Sequence, residues 1–351
     1  YEDSRHPKEV IFVRNLKEDL LRRDFTINAM AYNEKEGLVD IFGGMDDLKA
    51  GIIRCVGNAQ ARFSEDALRI LRGIRFAAQL GFELEDETRE GMRLLAPTLR
   101  KISAERIQVE LVKTLTSSRP DLLREAWKLG ITKEFLPEFD LAMETTQETV
   151  HHMYTVGEHI LHTLLEVRAD RILRLTMLLH DIGKPYMKTM DADGVAHFKG
   201  HPEKSSELAN EILHRLKFDN DTIRKVTKLV RYHDHRMPVT PAHVRRAIHE
   251  IGEDLFPLYL EVRRADVSAQ SMYQREEKVA DIDGVEKLYH EIMERNECVS
   301  LKMLAVTGKD LIAAGMKPGK EIGQMLEHFL DLVLEHPELN QKEELLKRIE
   351  L

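Results

Sequence analysis

Cysteine is nearly absent. Cys55 and Cys298 are the two in 351 residues, far apart and without a Cys-x-x-Cys or other paired spacing. That excludes a disulfide framework and a cysteine-built zinc knuckle, and it fits a reducing cytoplasm. Long hydrophobic runs are lacking as well: no apolar stretch reaches the roughly 18–20 residues that a membrane span needs, so a soluble chain without a membrane partner is expected. Positive charge is not in excess. The formal net charge of −9 excludes a uniformly basic nucleic-acid coat, although an acidic total can hide a local basic stripe. Internal repeats and low-complexity tracts are missing. The chain opens on Tyr1 with no charged and apolar leader behind it, so it shows neither a signal peptide nor a natural start, and an upstream segment is expected.

What is present is ordinary for a globular protein, with 42% hydrophobic and 32% charged residues, and the length suggests two or three units. Short apolar runs at Val10 to Val13, Asn28 to Tyr32 and Leu38 to Ile41, bounded by Asn33 and Gly37, predict strands. From Asp46 onward apolar residues recur at three and four, the period of amphipathic helices, punctuated by prolines such as Pro120, Pro137, Pro202 and Pro241. Asp193-Gly194 predicts a turn between two short extended pieces inside the helical region.

Three motifs stand in order in the first 76 residues: RRDxxxNA from Arg22 to Ala29, FGGxxDL from Phe42 to Leu48, and EDxLRxxRxxRF from Glu65 to Phe76. Asp66, Arg69, Arg72 and Arg75 recur every third residue beside apolar Leu68, Leu71 and Ile74, which predicts a polar ribbon on a helix. A carboxylate accepts and a guanidinium donates, so the pair suits a base with an amino group beside an unprotonated ring nitrogen, as in cytosine and adenine.

In this order and spacing the motifs resemble the class II CCA-adding enzymes and bacterial poly(A) polymerases. The resemblance implies that Asp66 and Arg69 contact the incoming base and that Arg23 contacts the nucleotide. It further implies that Asp24 meets the ribose, Asn28 supports the loop, and Arg72 and Arg75 lie near triphosphate or primer phosphate. The implied partners are tRNA, CTP and ATP, and the implied cofactor of nucleotidyl transfer is Mg2+. Asp3 to Pro7 resembles the end of the family's flexible loop, and ISAERIQVELVKTL at Ile102 to Leu115 its helical neck, where Glu105 and Arg106 would brace the recognition helix. The family's catalytic Asp-x-Asp after a Gly-Gly turn does not precede Arg22. Asp191 with Asp193 and Asp281 with Asp283 have the spacing without that context, and they read as a turn and as solvated helix ends. By this reading the chain alone polymerises nothing, and incorporation of CTP or ATP by it would contradict the expectation.

Further on, YTVGEHIL around His159, LLHDIGKP with His180 and Asp181, and RRADVSAQ with Asp266 resemble the HD superfamily of metal-dependent phosphohydrolases. The resemblance implies that His159, His180, Asp181 and Asp266 ligate a divalent ion such as Ni2+ or Mn2+, with His201 and His233 as further ligands and His151 or His152 as alternatives to His159. Near the end, Lys309, Lys317 and Lys320 sit by Gly308, Gly315 and Gly319, where amide and ammonium groups suit tRNA phosphates; the alternative is a helix junction needing glycine.

The expected fold is mainly α: the C-terminal part of an α/β nucleotidyltransferase head (1–45), a helical neck (46–118), a helical body (119–300) with the HD region at about 150–270, and a tail (301–351). The expected activity is addition of CCA to tRNA 3′ ends. Poly(A) polymerase, CC-adding or A-adding members, and an HD hydrolase or nucleotide sensor are the alternatives.

Overall fold

The computed structural model describes residues 15–151 and 153–349; the apolar run at Val10 to Val13, the segment Asp3 to Pro7 and His152 lie outside them. The chain is mostly helical and divides into two compact units, Tyr1–Arg231 with Ser268–Ser271, and Tyr232–Val267 with Met272–Leu351. The expected head remnant, neck and first part of the body thus share one unit, and the cut at Tyr232 falls inside the stretch read as a single body.

In the first unit, strands Met30–Asn33 and Gly37–Asp40 pair antiparallel, with Met30 opposite Asp40. Asp40 ends this hairpin and accepts hydrogen bonds from the amides of Gly44 and Met45, both at 2.8 Å, at the start of helix Gly44–Ala50. The FGG motif has a steric cause here. Gly43 has φ 75°, in the left-handed region, and a Cβ on Gly44 would lie 2.3 Å from the carbonyl oxygen of Thr26. Asp47 then accepts from Thr26 Oγ1 at 2.7 Å and pairs with Arg54 at 3.1 Å, clamping the RRDxxxNA segment onto the FGGxxDL segment. A second pairing was not expected from the helical period: Ile52–Ile53 lies parallel to Glu83–Leu84. Two residues per strand are too short for a period-two pattern to register.

Helix Leu68–Leu80 buries Leu68, Ile70, Leu71, Ile74, Ala77 and Ala78 and packs on helix Ala104–Leu115, the expected neck. The ribbon is shorter than its spacing predicts. Asp66 sits before this helix, in extended backbone at the end of helix Ala59–Glu65. Arg75 is taken up by the neck and is not exposed beside the other arginines: its Nε lies 2.9 Å from Glu110 and its guanidinium 4.0 Å from the Phe76 ring centroid, and both charged side chains are at least nine-tenths buried. A helix covered on two sides leaves only Arg69 and Arg72 on the open one.

Farther along the unit, helices Val156–Glu166, Arg171–Leu179 and His201–Arg215 enclose the HD region. Thr155 caps the first through the Glu158 amide, and Asp170 caps the second through the amides of Ile172 and Leu173. The Asp193-Gly194 turn joins the strands Thr189–Met190 and Ala196–His197, as its sequence predicts. Asp191 is spent on it, accepting from the amides of Asp193 and Val195 and from His197.

The regular elements among the described residues of the second unit are all helices. Helix Pro241–Ile251 packs on helices Arg275–Glu294 and Lys320–Glu335, and the buried Arg245 donates to the carbonyls of Leu334 and Glu335 and to Glu297. Asp281 and Asp283 stand inside the 20-residue helix Arg275–Glu294 rather than at its ends. No helix among the described residues is long and apolar enough to cross a membrane.

Breaking the Arg75–Glu110 pair from one side leaves a buried charge, so Arg75→Met or Glu110→Leu alone is expected to cost about 3–5 kcal/mol, and the double substitution close to none. Denaturant unfolding measures it, and a double variant as unstable as the two singles summed would deny the pairing. A second expectation concerns Asp40. Burial would raise its carboxyl, but amide hydrogen bonds, that of Met45 foremost, hold it below the usual range. Because the folded value is depressed, the stability it confers is present above the unfolded carboxyl range and lost as pH falls through the folded value. Asp40→Ala should cost about 1 kcal/mol at neutral pH, a difference that shrinks toward zero in acid unfolding titrations.

Candidate nucleotide cleft and metal centre

An open cleft of about 450 Å³ lies in the first unit, lined by Arg23, Asp24, Asn28, Asp66, Leu68, Arg69, Arg72 and Arg106. Six of the seven residues expected to meet nucleotide are brought together there, and Arg75 is not among them. Asp24 is the hub. Its Oδ1 accepts from the Phe25 amide at 2.9 Å and from Asn28 Nδ2 at 3.3 Å, while its Oδ2 takes Arg72 Nε at 2.7 Å and Nη2 at 2.5 Å. Arg72 is therefore committed to a carboxylate, where the sequence suggested a phosphate contact.

Arg69 is held at three points: Nη1 donates to the Arg62 carbonyl at 3.1 Å and to Glu65 at 2.9 Å, and Nη2 donates to the Arg22 carbonyl at 2.7 Å. Asp66 Oδ1 accepts from the Leu68 amide at 3.0 Å, and its Oδ2 is met by Arg106 Nη2 at 2.8 Å. Arg23 is half-exposed, with Nη1 3.3 Å from the Asn28 carbonyl and Nη2 3.4 Å from Asp19. Sequence reasoning gave Arg106 only a bracing part. It is a wall of the cleft, forty residues from the carboxylate it holds, a separation at which no local spacing signal exists.

The second cluster forms where helix Arg171–Leu179 ends. His180 closes that helix and Asp181 follows it, so neighbouring side chains turn inward together. His159 Nε2 lies 3.5 Å and His180 Nε2 3.3 Å from Asp181 Oδ2, the two imidazole nitrogens are 3.4 Å apart, and His201 Nε2 is 3.3 Å from Asp181 Oδ1. His201 reaches in because helix His201–Arg215 approaches closely at Gly183, where a Cβ would lie 2.5 Å from the Ser205 amide nitrogen. His180 Nδ1 lies 2.8 Å from the Met177 carbonyl and His201 Nδ1 2.9 Å from that of Phe198. A carbonyl only accepts, so both rings carry the proton on Nδ1 and turn an Nε2 lone pair inward, the arrangement of metal-ligating histidines. Ligands about 2.0–2.2 Å from one ion are separated by distances of this order. His159, His180 and Asp181 thus stand at spacings that suit one divalent ion, with His201 at the second oxygen of Asp181.

Lys184, which the sequence reading passed over, lies 2.7 Å from Asp181 Oδ2 and donates to Gln147 at 3.0 Å. Burial opposes the charge on Asp181, yet the Lys184 ammonium holds its carboxyl well below the usual range, so it is an anion at neutral pH. His151 donates its amide to Thr149 and accepts from the Ser271 amide, roles of the main chain. Asp266, on helix Phe256–Ser268, and His233 are buried residues of the second unit, and their assignment as ligands rests on the sequence pattern. Lys309, Lys317 and Lys320 are exposed, and Gly315 between them has φ 109°, so a turn requirement accounts for that glycine.

Residues 1–54 match the family model of the poly A polymerase head domain, residues 81–143 one described as a probable RNA- and SrmB-binding site of polymerase A, and residues 197–349 that of tRNA nucleotidyltransferase domain 2. The A-adding tRNA nucleotidyltransferase of Deinococcus radiodurans is 35% identical over 328 residues, which span 89% of this chain and 74% of that protein. The CCA-adding enzyme of Streptococcus mutans is 31% identical over 359 residues, spanning 99% of this chain and 75% of that protein. The fold is similar to the crystal structure of the Bacillus stearothermophilus CCA-adding enzyme in complex with CTP, with a TM-score of 0.63 and 25% identity, over 93% of this chain and 71% of that one.

If the histidine cluster holds a divalent ion, His180→Ala and Asp181→Ala each remove it, as elemental analysis of the purified protein would read. In the parent protein metal content should fall in acid, because a ligating imidazole must give its metal-facing nitrogen to the ion rather than to a proton. Metal retained in both variants would rule the centre out.

Proposed function

The chain belongs to the tRNA nucleotidyltransferase family of CCA-adding enzymes, and from that premise we propose that it serves the addition of CCA to tRNA 3′ ends from CTP and ATP, in the cytoplasm. The observation that carries this reading is the cleft, in which a carboxylate and a guanidinium with complementary hydrogen-bonding capacity stand side by side on rigid backbone. Asp66 accepts from the exocyclic amino group of cytosine or adenine and Arg69 donates to the adjacent ring nitrogen. Guanine and uracil present the reverse pattern, acceptor to carboxylate and donor to guanidinium, and pair with neither group. Arg106 aims the Asp66 carboxylate. Arg72 fixes Asp24, which meets the ribose hydroxyl by exchanging one of its present partners, and half-exposed Arg23 is available to the phosphates.

Nucleotidyl transfer in this family calls for Mg2+ on paired carboxylates. The residues of the cleft do not fit that ion, since Asp24 is committed to Arg72 and Asn28, and Asp66 to Arg106. The cleft is therefore assigned to selection and placement of the nucleotide, and no bond-making step is assigned to these residues. The histidine cluster is a separate centre. A nickel or manganese ion held there by His159, His180, Asp181 and His201, with Asp266 and His233 added by the sequence pattern, would supply Lewis acidity for hydrolysis of a phosphoester at an RNA end. Asp181 stays ionised beside Lys184, and Nδ1 hydrogen bonds fix the two histidine rings. The tail lysines Lys309, Lys317 and Lys320 are proposed tRNA phosphate contacts.

A second reading has one observation in its favour, the 35% identity to a relative named as an A-adding tRNA nucleotidyltransferase. Incubating the full-length protein with all four nucleotides and tRNA lacking its 3′ end, then sequencing the products, separates the two. Discrete CCA ends are expected, extension only of tRNA already ending in CC assigns A addition, and unextended tRNA overturns both. Substituting Asp66 or Arg69 by Ala should lower the preference for C and A over U and G roughly tenfold to hundredfold, the worth of one charge-assisted hydrogen bond. Unchanged selectivity in both variants would remove the base-reading role.

A further inference from the structure

A cavity of about 70 Å³ lies within the second unit and is lined by Arg236, Arg263, Lys278, Asp281, His235 and Tyr259 together with apolar Leu260, Ile282 and Val285. Three cations line it beside one carboxylate, Asp281. Asp234, which is not part of the lining, accepts from Arg236 Nη2 and Arg263 Nη1 at 3.4 Å each, contacts long enough to leave much of both guanidinium forks for a ligand. Arg263 is about nine-tenths buried and braced on the His233 carbonyl at 3.3 Å, and Tyr259 donates its hydroxyl to the His235 carbonyl at 2.7 Å. The walls are thus fixed. Burial first, and then the positive charge of Arg236, push the Lys278 ammonium below its ordinary value.

Size narrows the ligand. A water position needs about 10–15 Å³ of such volume, so the cavity holds about five oxygen-sized groups. That accommodates a tetrahedral oxyanion, whereas the nucleotide cleft is several times larger. Apolar residues beside the cations lower the local dielectric and strengthen their pull on an anion. We propose that this cavity is a binding site for a single phosphate group, either free phosphate or the terminal phosphate of an RNA, held by Arg236, Arg263 and Lys278. The site is independent of the nucleotide cleft and needs no metal ion.

Met237 also lines the cavity and reports on it directly. In the whole chain labelled with methyl-13C methionine, with the Met237 signal assigned through Met237→Leu, inorganic phosphate is expected to shift that signal saturably. Arg236→Gln with Lys278→Gln replaces two partly exposed cations without disturbing the core, and should weaken the response at least about tenfold through loss of charge-assisted hydrogen bonds. A missing shift, or one unchanged in the double variant, overturns the proposal, as does a shift that vanishes on chelator treatment, because the anion would then be following a metal. A 3′-phosphorylated trinucleotide in the same titration separates the sources. A tighter response than to phosphate assigns the site to an RNA end, an equal or weaker one to the free anion, and either supports it.

Discussion

The ion pair between Asp24 and Arg72 is the contact on which the first unit's cleft depends. One partner belongs to a short turn that follows helix Leu16–Leu21, and the other to helix Leu68–Leu80, forty-eight residues on. Asp24 is buried, and a buried carboxylate is tolerated only when paired and hydrogen-bonded. Two guanidinium contacts, the Phe25 amide and Asn28 meet that demand, and in meeting it they set the distance between the two walls. The clamp of Asp47 on Thr26 and Arg54 fixes the same turn from behind. The RRDxxxNA and FGGxxDL motifs are therefore one structural object read from two places in the chain.

Much of this object was legible in the sequence because its residues come in ordered blocks. RRDxxxNA and the Asp66 to Arg75 block predicted six of the eight residues lining the cleft, and the hairpin and Asp193-Gly194 turn announced themselves by composition. What was not legible depends on tertiary packing. Arg75 shares the spacing of Arg69 and Arg72, yet the neck helix covers its side of Leu68–Leu80 and supplies Glu110 as partner. No periodicity reveals which flank of a helix a later segment will cover. Arg106 and the two-residue parallel pairing at Ile52–Ile53 were hidden for the same reason, since each is defined by a partner distant in sequence.

The histidine cluster follows a different logic. His180 and Asp181 are neighbours in sequence and can turn inward together only because the helix stops there, and Gly183 lets a second helix bring His201 against them. The dipeptide was readable; its tautomers were not, because they are set by the carbonyls of Met177 and Phe198. Lys184 could have been found, since a lysine three residues after an aspartate at a helix restart is placed to pair with it. It makes the anion at Asp181 compatible with burial whether or not an ion is held beside it.

The three tethers on Arg69, all to groups of the protein itself, bear on fidelity. A side chain free in solution would spend its rotamer freedom on binding, and could spend it equally well on a wrong base by choosing another pose. Arg69 has no such choice, because its plane is pinned to the carbonyls of Arg22 and Arg62 before any ligand arrives. In the proposed role it behaves as a nucleobase does within a stacked strand, offering one fixed edge, so a mismatched nucleotide meets a surface that does not adapt to it.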